Sequence, residues 1–198
     1  FRRKFGTIPP LPGKRWLIAM TMLLAKESAE SSFYYFAYGS CMCPVDLKRS
    51  LGESTHSYVI GPATLPGYRL GFFRKSERRN CGVLDVVRDA RHTVEGVLYR
   101  LPQRLSAALD AREIGYHHEP VTVNCAGRIY SNIRTYTVQE KLHQEIAPND
   151  WYFSVVLRGA YTCGLPETYC WKLFEHMHQL QQTQAYGRGL PTVHATAA

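Results

Sequence analysis

In FYYFAYGSCMCP, Phe33 to Pro44, an aromatic, β-prone run breaks at Tyr38-Gly39-Ser40 and gives way to PVDLKRSLG. Aromatics bounded by a tight break read as a strand. PVDLKRSLG reads as a helix, with Pro44 in its first turn, Leu47 and Leu51 four apart, and Gly52 as the C-terminal stop. A strand–turn–helix junction exposes free backbone N–H groups, and such a place binds anions, carboxylates and phosphates among them. Cys41 lies just beyond the turn; it reads either as a nucleophile needing a distant His or, more commonly, as a small buried thiol. Cys41-x-Cys43 is too tight for an ordinary zinc chelate without a second pair. His117-His118-Glu119 invites a metal reading, but neighbouring strand residues point to opposite faces, so the two imidazoles would not share an ion. No metal is expected.

These groups must be held by a framework, and its elements are short. HSYVIGPATLPGYRLGFF carries Gly61-Pro62 and Pro66-Gly67 breaks between β-prone pieces. CGVLDVV and HTVEGVLYRLP read as two strands joined by a polar turn around Arg88 to Arg91. PQRLSAALDARE reads as a helix started by Pro102, with Leu105, Ala108 and Leu109 on one face. EPVTVNC and RIYSNIRTYTV form a hairpin turning near Ala126-Gly127. QEKLHQEI reads as a helical piece, and DWYFSVVLRGAY starts strand-like. GLPETYCWKLFEHMHQL is a helix with Pro166 at its start, Glu167 in its first turn, and Tyr169, Leu173, Met177 and Leu180 along one face. Strands dominate the middle and helices are inserted singly. The expected class is α+β, a small curved mixed β-sheet or β-barrel with flanking α-helices.

A length of 198 residues suggests one domain, and 45% hydrophobic residues suffice for an ordinary core. The net charge of +8 is uneven: residues 1–31 carry six Lys/Arg against two Asp/Glu, and residues 32–198 carry eighteen against fourteen, so each part is +4. RKSERR, Arg74 to Arg79, is the densest cluster, too small for the stripe that a polyanion-binding domain shows, and reads as a solvated loop. Nucleic acid is therefore not expected as a partner. Six cysteines without a CxxC pair suit reduced thiols in a cytoplasmic protein. The basic head, residues 1–31, reads as an upstream extension or a targeting segment, and its run WLIAMTMLLA is too short to span a bilayer. The domain is assigned to residues 32–182, and residues 183–198 read as a flexible tail.

Three motifs in order, FAYGS after a strand, GVLYRLP with a helix ending in LDARE, and RGAYTCGLPETYCWKL, resemble the γ-glutamylcyclotransferase family. The resemblance runs from about Phe33 to Leu180. It implies a small β-barrel with flanking helices that releases 5-oxoproline from γ-glutamyl compounds without a cofactor. It also implies a catalytic carboxylate at Glu113, closing LDARE. The substrate loop falls on Tyr35, Phe36, Ala37, Tyr38, Gly39 and Ser40, and a further substrate contact on Tyr152, counted back from Gly164-Leu165-Pro166. The sequence departs from the family at two places. Cys41 stands where Asn is common, and Ile114 separates Glu113 from Gly115.

The implied chemistry suits these residue types. The α-amine of a γ-glutamyl compound attacks its own γ-carbonyl, so the nucleophile is already tethered, and good orientation supplies on the order of 7 kcal/mol of the barrier. What remains is a carboxyl to take and return a proton, amide N–H groups for the carboxylate and the oxyanion, and walls that fold the substrate. Glu113, next to apolar Ile114, suits the first task. The Tyr38-Gly39-Ser40 turn suits the second, and Tyr35, Tyr38 and Tyr152 the third. Each has a bland alternative: a solvated Glu at a helix end, core tyrosines, and a Ser40 that only caps the next helix. The expected partner is a small-molecule γ-glutamyl substrate, with a homodimer allowed. The competing function is a non-catalytic version of the fold that binds a small acid or a protein.

Overall fold

The structure is a computed structural model that describes residues 30–189, with side chains to residue 185. The head, apart from its last residues, and positions 190–198 of the tail lie outside the described residues. The elements are β1 (Ser32–Ala37), a 3-10 turn (Ser40–Met42), α1 (Pro44–Leu51), β2 (Val59–Ser76), β3 (Cys81–Pro102), α2 (Ser106–Arg112), β4 (Tyr116–Cys125), β5 (Arg128–Val138), α3 (Asp150–Thr162) and α4 (Glu167–Gly189). The strands close into a barrel in the order β1-β3-β2-β4-β5. β1 returns parallel to β5, with Tyr35 opposite Arg134. The class is α+β, as the sequence leads one to expect. No described helix is long and apolar enough to cross a membrane.

The local signals are obeyed where the chain can satisfy its own backbone. Pro44 opens α1, and Gly52 ends it in the left-handed region at φ 78°, its N–H bonded to the Lys48 carbonyl. The β4–β5 hairpin turns at Ala126 and Gly127, both with positive φ. Leu173 and Met177 of α4 are buried, with Tyr169 and Leu180 packed beside them. α4 continues to Gly189, beyond position 182. The barrel interior is apolar: Phe36, Phe72, Leu98 and Tyr99 are fully buried, each such side chain worth about 1.5–3 kcal/mol.

Three elements differ from the sequence reading. The polar stretch around Arg88 is no turn between strands; β3 runs unbroken from Cys81 to Pro102. In the β2–β3 register Pro66 faces Thr93 but Tyr68 faces Arg88, so Gly67 stands alone opposite Asp89 to His92. The two sequence breaks thus meet across the hairpin as one bulge, which bends both strands without ending either. Asp89 holds the bulge, accepting from the Arg91 N–H at 3.1 Å.

QEKLHQEI forms no helix. Its N–H groups are bonded elsewhere: Leu142 donates to the Phe73 carbonyl at 2.8 Å and Ile146 to the Phe72 carbonyl at 3.0 Å. The Glu145 carboxylate accepts from the Phe72 N–H. The segment continues across β3, where Gly82 donates to Ala147. A Cβ at Gly82 would lie 1.7 Å from the Ile146 carbonyl oxygen, so only glycine permits this approach.

The third correction is α3. DWYFSVVLRGAY is helical, capped by the Asn149 side chain, which accepts from the Tyr152 N–H. Its buried residues Tyr152, Val155, Val156, Gly159 and Ala160 follow helical spacing and line one face. The aromatic and β-branched content favours a strand, but the periodicity decides.

Candidate active site

A cavity of about 620 Å³ opens where β1, the 3-10 turn, the end of α2 and the start of α3 meet. Its walls include Tyr35, Tyr38, Gly39, Ser40, Glu113 and Tyr152, so six of the eight residues singled out from sequence converge there. Phe36 and Ala37 do not line it. Both are wholly buried in the core, and the Phe36 carbonyl is taken by the Thr135 hydroxyl. The substrate loop thus supplies side chains at its two ends only.

Glu113 caps the C-terminus of α2, its N–H shared between the Leu109 and Asp110 carbonyls. Arg74 fixes the backbone beyond it, donating to the carbonyls of Ile114 and Gly115 at 2.9 and 3.0 Å. Ile114 itself is 76% exposed and gives Glu113 no apolar cover, contrary to the reading from sequence. The cover comes from the loop instead. The Glu113 side chain is 13% exposed, and its Oε1 accepts the Cys41 S–H at 3.0 Å.

Arg112, beside Glu113, is the hub of the site. Its side chain is 4% exposed and bonds Asp46 Oδ2 of α1 at 2.6 Å. It donates to Ser40 Oγ at 3.0 Å and to Cys41 Sγ at 3.1 Å, and it also bonds Ser50 Oγ. Its Nε lies 3.4 Å from Glu113 Oε1. Burial works against its charge, but Cys41, Glu113 and Asp46 outweigh that and hold its pKa raised. One guanidinium therefore ties the 3-10 turn, α1 and the carboxyl into a single assembly. Both contacts to Glu113 fall on Oε1; among the described residues Oε2 has no protein partner.

Burial pushes the Cys41 thiol up to about 12, with Arg112 pulling the other way. The thiol serves as a donor to Glu113, and among the described residues no histidine lines the cavity to act as the base that a nucleophilic thiol needs. At the position where Asn is common in the family, a thiol, a weak donor, holds the carboxyl.

The turn approaches closely because Gly39 lacks a side chain: an added Cβ would meet the Tyr152 hydroxyl at 3.2 Å. That hydroxyl accepts the Leu84 N–H at 3.0 Å, so Tyr152 staples α3 to β3 behind the turn. Burial raises the Tyr152 phenol as well. Tyr38 donates to the Tyr136 carbonyl, and Tyr35 stacks on Tyr99 with centroids 6.2 Å apart. Met42 N–H makes the first bond of the turn, to the Gly39 carbonyl, so the N–H groups of Gly39, Ser40 and Cys41 precede any intrahelical acceptor.

His117 and His118 behave as strand neighbours, His117 bonding Thr137 and His118 bonding Asp110. All six cysteines are free thiols.

This chain has relatives in sequence and fold. The AIG2-like family matches residues 93–173. YkqA of Bacillus subtilis, provisionally assigned as a γ-glutamylcyclotransferase, is 35% identical over 158 residues, 78% of this chain and 55% of that protein. The crystal structure of YkqA superposes with a TM-score of 0.70 at 33% identity over 81% of this chain. By sequence and fold the domain is similar to γ-glutamylcyclotransferase-like proteins. A solved γ-glutamyl cyclotransferase shares the fold as well, with a TM-score of 0.66 at 23% identity, covering 72% of this chain and 86% of that one. The chain spans 59% of the YkqA structure, so the relative is the longer protein.

The sequence reading missed Arg112, Asp46 and Ser50 as site residues, and it placed RKSERR in solvent. Arg74, Arg78 and Arg79 in fact line the cavity, with Arg49 of α1. The available signal was position: RKSERR falls at a hairpin tip, and Arg112 directly precedes the proposed base.

Proposed function

We propose that the domain is a cofactor-independent γ-glutamylcyclotransferase that releases 5-oxoproline and an amine from a γ-glutamyl compound. The supporting observation is that Glu113 shares one cavity with the Tyr38-Gly39-Ser40 turn and has an oxygen, Oε2, without a partner among the described residues. The substrate's α-ammonium gives a proton to Glu113. The freed amine attacks the γ-carbonyl, forming the ring C–N bond and placing negative charge on the carbonyl oxygen. The N–H groups around Gly39 and Ser40 are suited to that oxyanion or to the α-carboxylate. Glu113 returns the proton to the leaving nitrogen and the original C–N bond breaks; the surplus proton on the ring nitrogen passes to the released amine, which departs as its ammonium, and the carboxylate is regenerated.

Arg112 and Cys41 act as positioning residues that fix Oε1 and so aim Oε2. The ring-closing shape is imposed by the rings of Tyr35, Tyr38 and Tyr152, all three on the cavity wall.

The test is incubation with γ-glutamyl dipeptides and assay of 5-oxoproline, with Glu113→Gln beside wild type. Loss of a positioned proton carrier lowers turnover about 10²–10⁴-fold. Equal product from the variant removes Glu113 from the reaction. Saturable ligand binding without any product from wild type points to a binding version of the fold.

A further inference from the structure

The cavity does not end at the catalytic carboxyl. A second chamber of about 470 Å³ shares Arg49, Ser50, Arg78, Arg79 and Arg112 with it as walls, and adds Asp46, Asn149 and Trp151. Four guanidinium groups face one carboxylate there, a balance of +3. That carboxylate, Asp46, is already bonded to Arg112. Two further acids line the first cavity only: Glu113, 3.4 Å from Arg112 Nε, and Glu77, whose side chain is 84% exposed and lies 3.8 Å from Lys75. Among the described residues Arg49, Arg78 and Arg79 form no ion pair.

Arg79 is also held ready. Its guanidinium lies over the Trp151 ring at 5.4 Å and over the Tyr152 ring at 5.8 Å. Asn149 donates to its backbone carbonyl at 2.9 Å. Stacking restrains the side chain by its faces and leaves the N–H fork in the ring plane available. A neutral acceptor gains at most local hydrogen bonds from three guanidiniums without carboxylate partners, whereas an acceptor with two or more negative charges is attracted by all of them.

The chamber adjoins the reaction centre. Arg112 is a wall of both compartments, with its Nε 3.4 Å from Glu113 Oε1. A group departing from the γ-carbon beside Glu113 is therefore about one side chain's length from the chamber.

We infer that the second chamber is an acceptor subsite for a polyanionic leaving group, such as an amine bearing two carboxylates or a phosphate. This rests on the cyclotransferase reading for the identity of the substrate, but the anion preference itself is a property of the chamber.

The experiment compares γ-glutamylglutamate, γ-glutamyl-O-phosphoethanolamine and the neutral γ-glutamylethylamide on wild type and on an Arg49→Gln/Arg78→Gln double variant. Wild type favours the anionic substrates by about tenfold or more in kcat/KM, mainly through KM, and the preference shrinks as salt is raised. The double variant reduces the anionic-to-neutral ratio by about tenfold. Whether the glutamate or the phosphate arm gains more identifies the anion. An unchanged ratio, or a wild type that prefers the ethylamide, overturns the subsite. If no arm yields 5-oxoproline, the cyclotransferase reading fails, and calorimetric binding of γ-glutamylglutamate to the same two proteins decides the chamber separately. A drop of about tenfold in affinity supports it, and equal affinities reject it.

Discussion

Two groups of arginines meet at this cavity, and their fates are opposite. On the inner wall Arg112 is almost wholly buried and spends its donors on Asp46, Ser40, Ser50 and Cys41. At the mouth Arg49, Arg78 and Arg79 line the same space with no carboxylate partner among the described residues. A saturated guanidinium in low dielectric fixes geometry; an unsaturated one near solvent attracts ligands. The same side chain therefore builds the site in one place and supplies its electrostatic field in the other, and the difference is made by burial and by partners.

The largest expected effect tests that contrast directly. Arg112→Met strands the Asp46 carboxylate in the interior and lowers stability by about 3–5 kcal/mol. Arg78→Met at the mouth changes stability by no more than about 0.5 kcal/mol. Urea unfolding of both variants checks this; similar losses would erase the distinction between wall and mouth.

A smaller effect sharpens the account of the inner wall. Tyr152→Phe leaves the buried Leu84 N–H without its acceptor and lowers the unfolding free energy by about 1–3 kcal/mol. Amide exchange at Leu84 accelerates in the same variant. An unprotected Leu84 amide in the wild type would show that Tyr152 does not staple the turn.

The smallest effect is a pH dependence. The folded state raises the Cys41 thiol from 9.0 to about 12. A raised pKa favours the protonated form, so the stability tied to it is fully present below pH 9 and is lost as pH rises from about 9 to 12. The urea midpoint of wild type therefore falls more steeply over pH 9–11 than that of Cys41→Ala, by the slope of up to one proton. The buried phenol of Tyr38, raised by burial and without a contribution from Cys41, acts alike in both proteins. Parallel profiles would place the thiol in contact with water and cut its link to Glu113.

How far the sequence can be read depends on where each backbone group finds its partner. The β1 break, the Pro44–Gly52 helix, the Ala126-Gly127 hairpin and the Tyr169-Leu173-Met177 stripe are written in residues a few positions apart, and all four stand in the structure. QEKLHQEI and the Arg88 stretch carry equally good local signals, yet neither prevails, because β2 lies alongside and takes up or redirects their hydrogen bonds. Tyr152, expected as a substrate contact on a strand, lines the cavity from a helix.

The sequence by itself determined the short-range elements and the glycine turn, since each depends on residue type and near spacing, whereas the candidate carboxyl at Glu113 came from the resemblance of LDARE to a family motif. Only the tertiary structure decided that Cys41 and Arg112 grip that carboxyl, that Phe36 and Ala37 belong to the core, and which arginines are paired. Nothing in a single arginine's neighbours along the chain reports the dielectric around it. Its burial and its partners come from segments tens of residues away, and they exist only once the barrel has closed.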